Sequence, residues 1–144
     1  MQSYPQDQVT NFDKLTYAGN LANLRAVEHH PGYSFFHGDI CDLGALMEAM
    51  PQGIDAVVHF AAESHLDRRI NGAAEFVATN VLDTQLLLGA SRNRKAGRFF
   101  HISTDEVGGS RAPGQWLRED SPLAPRRPYA ASKTAAEHLV RAAG

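Results

Sequence analysis

The chain has 144 residues and a mass of 15.7 kDa, enough for one ordinary domain that buries roughly two-thirds of its unfolded surface. A hydrophobic share of 43% and a charged share of 21% are globular proportions and argue against intrinsic disorder. Fourteen basic and sixteen acidic residues leave a net charge of -2 with no basic block, so a nucleic-acid partner has no electrostatic footprint.

Val9 to Phe12 is a short β-type run that ends at Asp13. From Asn20 to His29, Leu21, Leu24 and Val27 fall at helical spacing and Pro31-Gly32 stops the run, which predicts a helix. Tyr33 to Phe36 reads as a second strand, closed by Gly38-Asp39. Asp42 stands where it can cap a helix through Met50, with Leu43, Leu46, Met47 and Met50 on one stripe. Ile54 to Ala62 is almost continuously apolar, the pattern of a parallel strand covered on both faces. The longest helical stretch runs from about Ala73 to Arg94, and Arg98 to Ser103 returns to strand. Residues 108–128 hold three glycines and four prolines without periodicity, a loop long enough to predict a border of the functional site. Ser132 to Ala143 is an alanine-rich helix, with Pro128 suited to its first turn.

Strands alternating with helices predict an α/β fold with a parallel sheet. Ligands of such sheets bind at the carboxyl ends of strands, here just after Phe12, Phe36, Phe60 and Ser103. Asp13 stands where an acidic residue accepts hydrogen bonds from a ribose, although Asp is also an ordinary turn residue. Asp39-Ile40 offers an acceptor and an apolar face for an adenine ring, and Ala61-Ala62-Glu63-Ser64 offers small residues to a flat cofactor. Ser103-Thr104-Asp105-Glu106 brings two hydroxyls and two carboxylates to one strand end. Tyr129 and Lys133, four apart at a helix start, share a face. An ammonium beside a phenol lowers the phenol's pKa and makes it a general base. With four tyrosines and three lysines this spacing arises by chance about once in twelve such chains, and its place after the STDE strand end adds weight.

Other conspicuous residues read as structural. His29-His30 is a solvated helix end, and His59, His65 and His101 lack a ligand spacing such as His-Glu-x-x-His, so no metal site is expected. Trp116 reads as a packing anchor and Cys41 as a small buried thiol. A single cysteine favours a reducing, cytoplasmic setting. The opening residues MQSYPQDQ predict no signal peptide, and no apolar run of eighteen residues predicts a membrane partner.

Assembled in order, DKLTYAGN (Asp13 to Asn20), GDICD (Gly38 to Asp42), HFAAESHLDRRI (His59 to Ile70), ATNVLDT (Ala78 to Thr84), HISTDEV (His101 to Val107) and PYAASK (Pro128 to Lys133) resemble the dTDP-glucose 4,6-dehydratases of the extended short-chain dehydrogenase/reductase superfamily. The resemblance implies a Rossmann-like parallel sheet with flanking helices and NAD as a recycled hydride carrier. It implies cofactor contacts at Asp13, Lys14, Leu15, Thr16, Asp39, Ile40, Phe60, Ala61, Ala62, Glu63, Ser64 and Thr79, and also at Tyr129 and Lys133. Ser64 and Thr104 would contact the hexose of a nucleotide sugar. Tyr129 would take the 4-hydroxyl proton, Lys133 would hold the nicotinamide ribose, Glu106 would remove the C5 proton, and Asp105 would protonate the departing 6-hydroxyl. A homodimer through the helices near 73–94 and 132–143 is implied as well.

Three departures qualify the expectation. No Gly-x-x-Gly-x-x-Gly occurs, so the chain is expected to lack the family's first βα unit and its pyrophosphate-binding helix end. It is also expected to lack the C-terminal substrate region, leaving residues 1–144 as one partial NAD-binding domain. Gly108 stands where the family has tyrosine, which is expected to loosen the chain beside the carboxylate pair. The competing functions are a dehydratase piece inactive alone, a non-catalytic remnant that at most self-associates, and an epimerase or decarboxylase of the same superfamily. Asp105-Glu106 disfavours the last. In the sheet order 3-2-1-4-5-6, omission of the central strand leaves a gap of roughly 9.6 Å. The runs at Val9 and Ile54 are expected to close it by pairing directly, at low stability.

Overall fold

The computed structural model describes residues 3–64, 72–110, 114 and 116–144. Val9–Asp13 (β1) and Tyr33–His37 (β2) pair in parallel, Val9 opposite Tyr33 and Asp13 opposite His37. Ala56–His59 (β3) and Arg98–His101 (β4) form a second parallel pair, Val57 opposite Phe99. The helices are Leu43–Ala49 (α1), Gly72–Val77 (α2), Asp83–Asn93 (α3) and Pro128–Ala143 (α4). A π turn over Ala78–Leu82 links α2 to α3, so residues 72–93 run on as one helix with a widened turn. The fold is Rossmann-like: parallel strands joined by helical crossovers.

Local chemistry sets most boundaries. Asp42 caps α1, its Oδ1 accepting from the Ala45 amide at 3.1 Å. Pro128 occupies the first turn of α4, where its missing N–H costs nothing. The helix expected from Asn20 to His29 is only a 3₁₀ turn over Leu21–Leu24 followed by turns. Asn20 caps it through Ala22, and the bonds from Asn23 to Asn20 and from Val27 to Leu24 are of the tighter i→i−3 kind. With no residue buried in this 3₁₀ turn, tertiary packing has nothing to extend.

The core joins the two strand pairs without a hydrogen-bond ladder. Leu46 of α1, Val57 of β3 and Leu87 and Ala90 of α3 are its buried centre, with Phe12, Ile40 and Phe99 packed against them. Direct pairing of β1 with β3 does not occur: among the described residues the sheets are two separate pairs, β1–β2 and β3–β4. The side chains of the core hold the pairs together while an open cleft divides them. Nor is β3 covered on both faces. Val57 and His59 are buried, but Val58 is 49% and Phe60 71% exposed, and Phe100 and Ile102 continue that open face.

A fold with unpaired edges on both sides of a cleft and an open apolar face is expected to unfold at low temperature. Calorimetry should give a midpoint below about 60 °C for the isolated chain; a cooperative monomeric transition above that contradicts the arrangement.

Candidate active site

The cleft between the pairs encloses about 800 Å³ and opens at the carboxyl ends of β1, β2 and β3. Asp13, Lys14, Thr16, Asp39, Ile40, Phe60, Ala61, Ala62, Glu63 and Thr79 line it, so ten of the expected cofactor contacts share one cavity. Leu15, Ser64, Tyr129 and Lys133 are not part of its lining. Asp13 serves its own turn, Oδ1 accepting from the Leu15 amide at 2.7 Å, and this turn holds Leu15 at φ 52°. Lys14 pairs with Asp39, whose other oxygen accepts from the Cys41 amide at 3.2 Å. Burial pushes the Asp39 carboxyl up, but Lys14 and the Cys41 contacts outweigh it and the net pKa is lowered; the Asp39 hydrogen bond raises that of Lys14. Asp13, Asp39, Glu63, Glu75 and Asp83 line the cleft against Lys14 alone among its described basic side chains. Burial and the charge of Asp39 raise the Asp83 pKa, with Lys14 opposing them.

The proton-transfer candidates gather at the exit of β4 and the start of α4. Thr104 caps a 3₁₀ turn over Asp105–Gly108, its Oγ1 accepting from the Glu106 amide at 3.3 Å. This turn holds Asp105 and Glu106 side by side and exposed. Tyr129 packs edge-on against Phe76, their centroids 5.9 Å apart. Its pKa is raised rather than lowered: burial is the main cause and Glu106 adds to it, while a hydrogen bond with the Thr104 side chain pulls the other way. The expected ammonium–phenol effect is overridden because Lys133, 3% exposed, directs Nζ at the Ile102 carbonyl, 2.6 Å away. Burial lowers the Lys133 pKa, and Glu137 opposes the shift.

Three side chains inside the quoted motifs, Asn80, Thr84 and Ser132, carry no role readable from sequence and tie the candidate site together. Asn80, in the π turn and 1% exposed, accepts from the Glu63 amide at 2.8 Å and donates to the Glu63 carbonyl and to Ser132 Oγ, both at 2.9 Å. Ser132 donates onward to the Tyr129 carbonyl at 2.7 Å. The wall of the cleft is thereby tied to the helix that carries the phenol. Thr84 donates to the Asn80 carbonyl and accepts from His59 Nε2, each at 2.8 Å. The available signal is the Asn80/Thr84 spacing of four, which puts the two polar side chains on one helix face.

The loop after the carboxylate pair is not loosened by Gly108. Gly108 is buried, and a Cβ there would lie 2.3 Å from Leu117 Cδ2, so Leu117 fills that space. Gly109, at φ +71°, approaches the Ala124 carbonyl, and the Ala124 amide donates to the Val107 carbonyl at 2.9 Å. Trp116 is 86% exposed and anchors no packing. Cys41 is exposed rather than buried; its pKa is raised by the Asp39 hydrogen bond. His65 and residues 66–70 of the resembling motif lie outside the described residues. Among the described residues, no helix is long and apolar enough to cross a membrane.

The model of the family described as GDP-mannose 4,6 dehydratase matches residues 2–144. The chain belongs to this family. It is 53% identical over 135 residues to a dTDP-glucose 4,6-dehydratase of Streptomyces niveus, covering 94% of the chain and 40% of that enzyme. With the Neisseria gonorrhoeae dTDP-glucose 4,6-dehydratase the identity is 49%, over 95% of the chain and 43% of the relative. The crystal structure of the Streptomyces venezuelae dTDP-glucose 4,6-dehydratase with NAD bound superimposes at a TM-score of 0.88 and 51% identity, covering 97% of the chain and 44% of that structure. A Bacillus cereus UDP-glucuronic acid 4-epimerase with NAD aligns at 0.78 and 27%, over 94% and 44%. The chain thus spans about two-fifths of the length of the relatives it matches.

The paired histidines under this site set a pH dependence. Burial first, and neighbouring charge second, hold His59 at about 4 and His101 at about 4, against an ordinary value of 6.5. Between those values the unfolded chain binds more protons than the folded one. Stability is therefore full above about pH 6.5 and falls as the pH drops towards 4. For His59, 3% exposed, the loss is on the order of 3 kcal/mol. Urea unfolding from pH 7.5 to 4.5 should show this decline, with a shallower slope in His59→Gln; the same slope in both proteins contradicts it.

Proposed function

We propose that this chain carries the proton-transfer half of a nucleotide-sugar 4,6-dehydratase site. It converts dTDP-glucose to dTDP-4-keto-6-deoxyglucose within a longer polypeptide or beside a complementing one, and alone it is inactive. The observation that carries this reading is the Thr104 cap, which holds Asp105 and Glu106 in one turn while the Thr104 side chain bonds to the Tyr129 phenol and Glu106 acts on it. Tyr129 takes the proton of the sugar 4-hydroxyl. Glu106 removes the C5 proton, acidified once C4 is a ketone, and Asp105 protonates the departing 6-hydroxyl. Thr104 and Ser64 contact the hexose, and Lys133 holds the cofactor ribose. Burial first and Glu106 second raise the phenol pKa, and against them the Thr104 hydrogen bond favours the phenolate that a base needs.

The cleft residues suit the two ends of NAD. Asp39 with Ile40 would hold the adenosine side, joined by Asp13, Lys14, Leu15 and Thr16. Phe60 to Glu63 and Thr79 of the lining, with Ser64 next along the chain, would form the nicotinamide wall. NAD, when bound, supplies the hydride acceptor and donor that leave the overall dehydration redox-neutral. Residues 1–144 are read as one partial NAD-binding domain. Its two longest helical stretches form a homodimer interface, which is supported by Val77, Leu82 and Leu86 at 51%, 59% and 36% exposure. The free thiol of Cys41 suits the cytoplasm.

The open cleft supports a second reading, a non-catalytic remnant that at most self-associates. The test is a chimera in which this chain replaces the 53%-identical stretch of the Streptomyces niveus enzyme. Formation of dTDP-4-keto-6-deoxyglucose supports the dehydratase reading, and a folded, inert chimera supports the remnant. Within an active chimera, Tyr129→Phe should lower C4 oxidation by at least about 10²-fold. Glu106→Gln should preserve C4 oxidation and abolish elimination; solvent deuterium still entering at C5 would remove Glu106 from its role.

A further inference from the structure

Glu137 lies one turn beyond Lys133 on α4, with a side chain 16% exposed. The Ser103 hydroxyl donates to its Oε1, and Arg141 Nη2 stands 3.4 Å from its Oε2, so both carboxylate oxygens are engaged. One residue earlier on the exit of β4, the Ile102 carbonyl accepts from Lys133 Nζ at 2.6 Å. Residues 102 and 103 are consecutive on the chain, while 133 and 137 stack on one helix face. Two rungs of opposite sense therefore join helix to strand exit: the helix donates at the first and accepts at the second.

We propose that Glu137 is a positioning residue, which through Ser103 fixes Lys133 and the Thr104–Glu106 turn in a single frame. Its effect on catalysis rests on the dehydratase reading above; the clamp itself does not. With the Lys133 rung alone, the chain beyond Ile102 can swivel about one hydrogen bond. The Ser103 rung removes that freedom one residue before Thr104, whose side chain bonds to Tyr129. The titratable groups facing Lys133 are His59 from β3, His101 from β4 and Glu137 on its own helix. Both imidazoles are neutral at pH 7, which makes Glu137 the counter-charge of the buried ammonium.

The chain has three lysines, Lys14, Lys95 and Lys133, so ¹³Cε-lysine labelling gives three resonances whose titration can be followed. Glu137→Gln should lower the Lys133 midpoint by about one pH unit and leave Lys95 in place. If that variant does not fold, Ser103→Ala, which removes only a hydroxyl, should lower it in the same direction by less. A Lys133 midpoint unmoved in the folded variant overturns the proposal. In the chimera, Glu137→Gln should reduce kcat about tenfold, with KM for dTDP-glucose within about twofold. An unchanged kcat overturns the positioning role. A chimera inactive before any substitution, with Lys133 still shifting in the labelled chain, sinks the dehydratase reading and supports the clamp.

Discussion

The site depends on one buried amide. Asn80 sits where two elements with no backbone hydrogen bonds between them must keep register: the chain leaving β3 at Glu63, and the first turn of α4. Its side chain meets both backbone groups of Glu63 and reaches Ser132, which passes the connection to the Tyr129 carbonyl. Removing one partner of such a buried set costs about 1–3 kcal/mol for each group left unpaired. The π turn that carries Asn80 fits this use, since a widened turn is a common device at functional sites. Lys133 on Ile102 adds a second polar tie, so α4 is held to the strand exits by directional bonds as well as by packing.

The other half of the molecule is organised differently. Among the described residues β1 and β2 share no ladder with β3 and β4, and the core centred on Leu46, Val57 and Leu87 joins the two pairs. The cleft this creates gathers the candidate cofactor residues, and among its described lining residues stand five carboxylates and one lysine, which is paired with Asp39. A dinucleotide brings a pyrophosphate, which is bound by backbone amides at a helix N-terminus or by free basic groups. The described lining offers ribose and ring contacts without that counter-charge. The two halves therefore differ in construction: the candidate proton-transfer residues are tied together by hydrogen bonds, and the candidate cofactor cleft is divided.

Sequence patterns made much of this legible. The strand pairs, the Asp42 cap and the continuous helix over 72–93 follow from apolar periodicity and turn residues. The placement of Tyr129 and Lys133 at a helix start, and of Thr104, Asp105 and Glu106 at a strand exit, was readable from the residues that mark such ends. The Asn20–His29 run misled because its spacing was helical while none of its residues is buried. Asn80, Ser132 and Glu137 stayed hidden because a polar residue in a helix looks solvated until the strand exit that receives it is known. The direct pairing expected for β1 and β3 failed for a similar reason. Pairing rules describe ladders, whereas here the two strand pairs are joined by core side chains, Leu46 of α1 and Leu87 and Ala90 of α3 among them. Gly108 behaved as a packing surface for Leu117, a contact that lies nine residues along a loop without periodicity.

On the reading proposed above, this chain holds its candidate proton-transfer residues together beside a divided cleft whose described lining is rich in carboxylates, a poor match for a pyrophosphate. Titration of NAD⁺ into the purified chain by isothermal calorimetry tests it most directly. The account predicts weak binding or none, with a Kd no tighter than about 1 mM. Saturable binding in the low-micromolar range would contradict it, because the cleft would then have to be closed and supplied with phosphate donors in the chain as it stands.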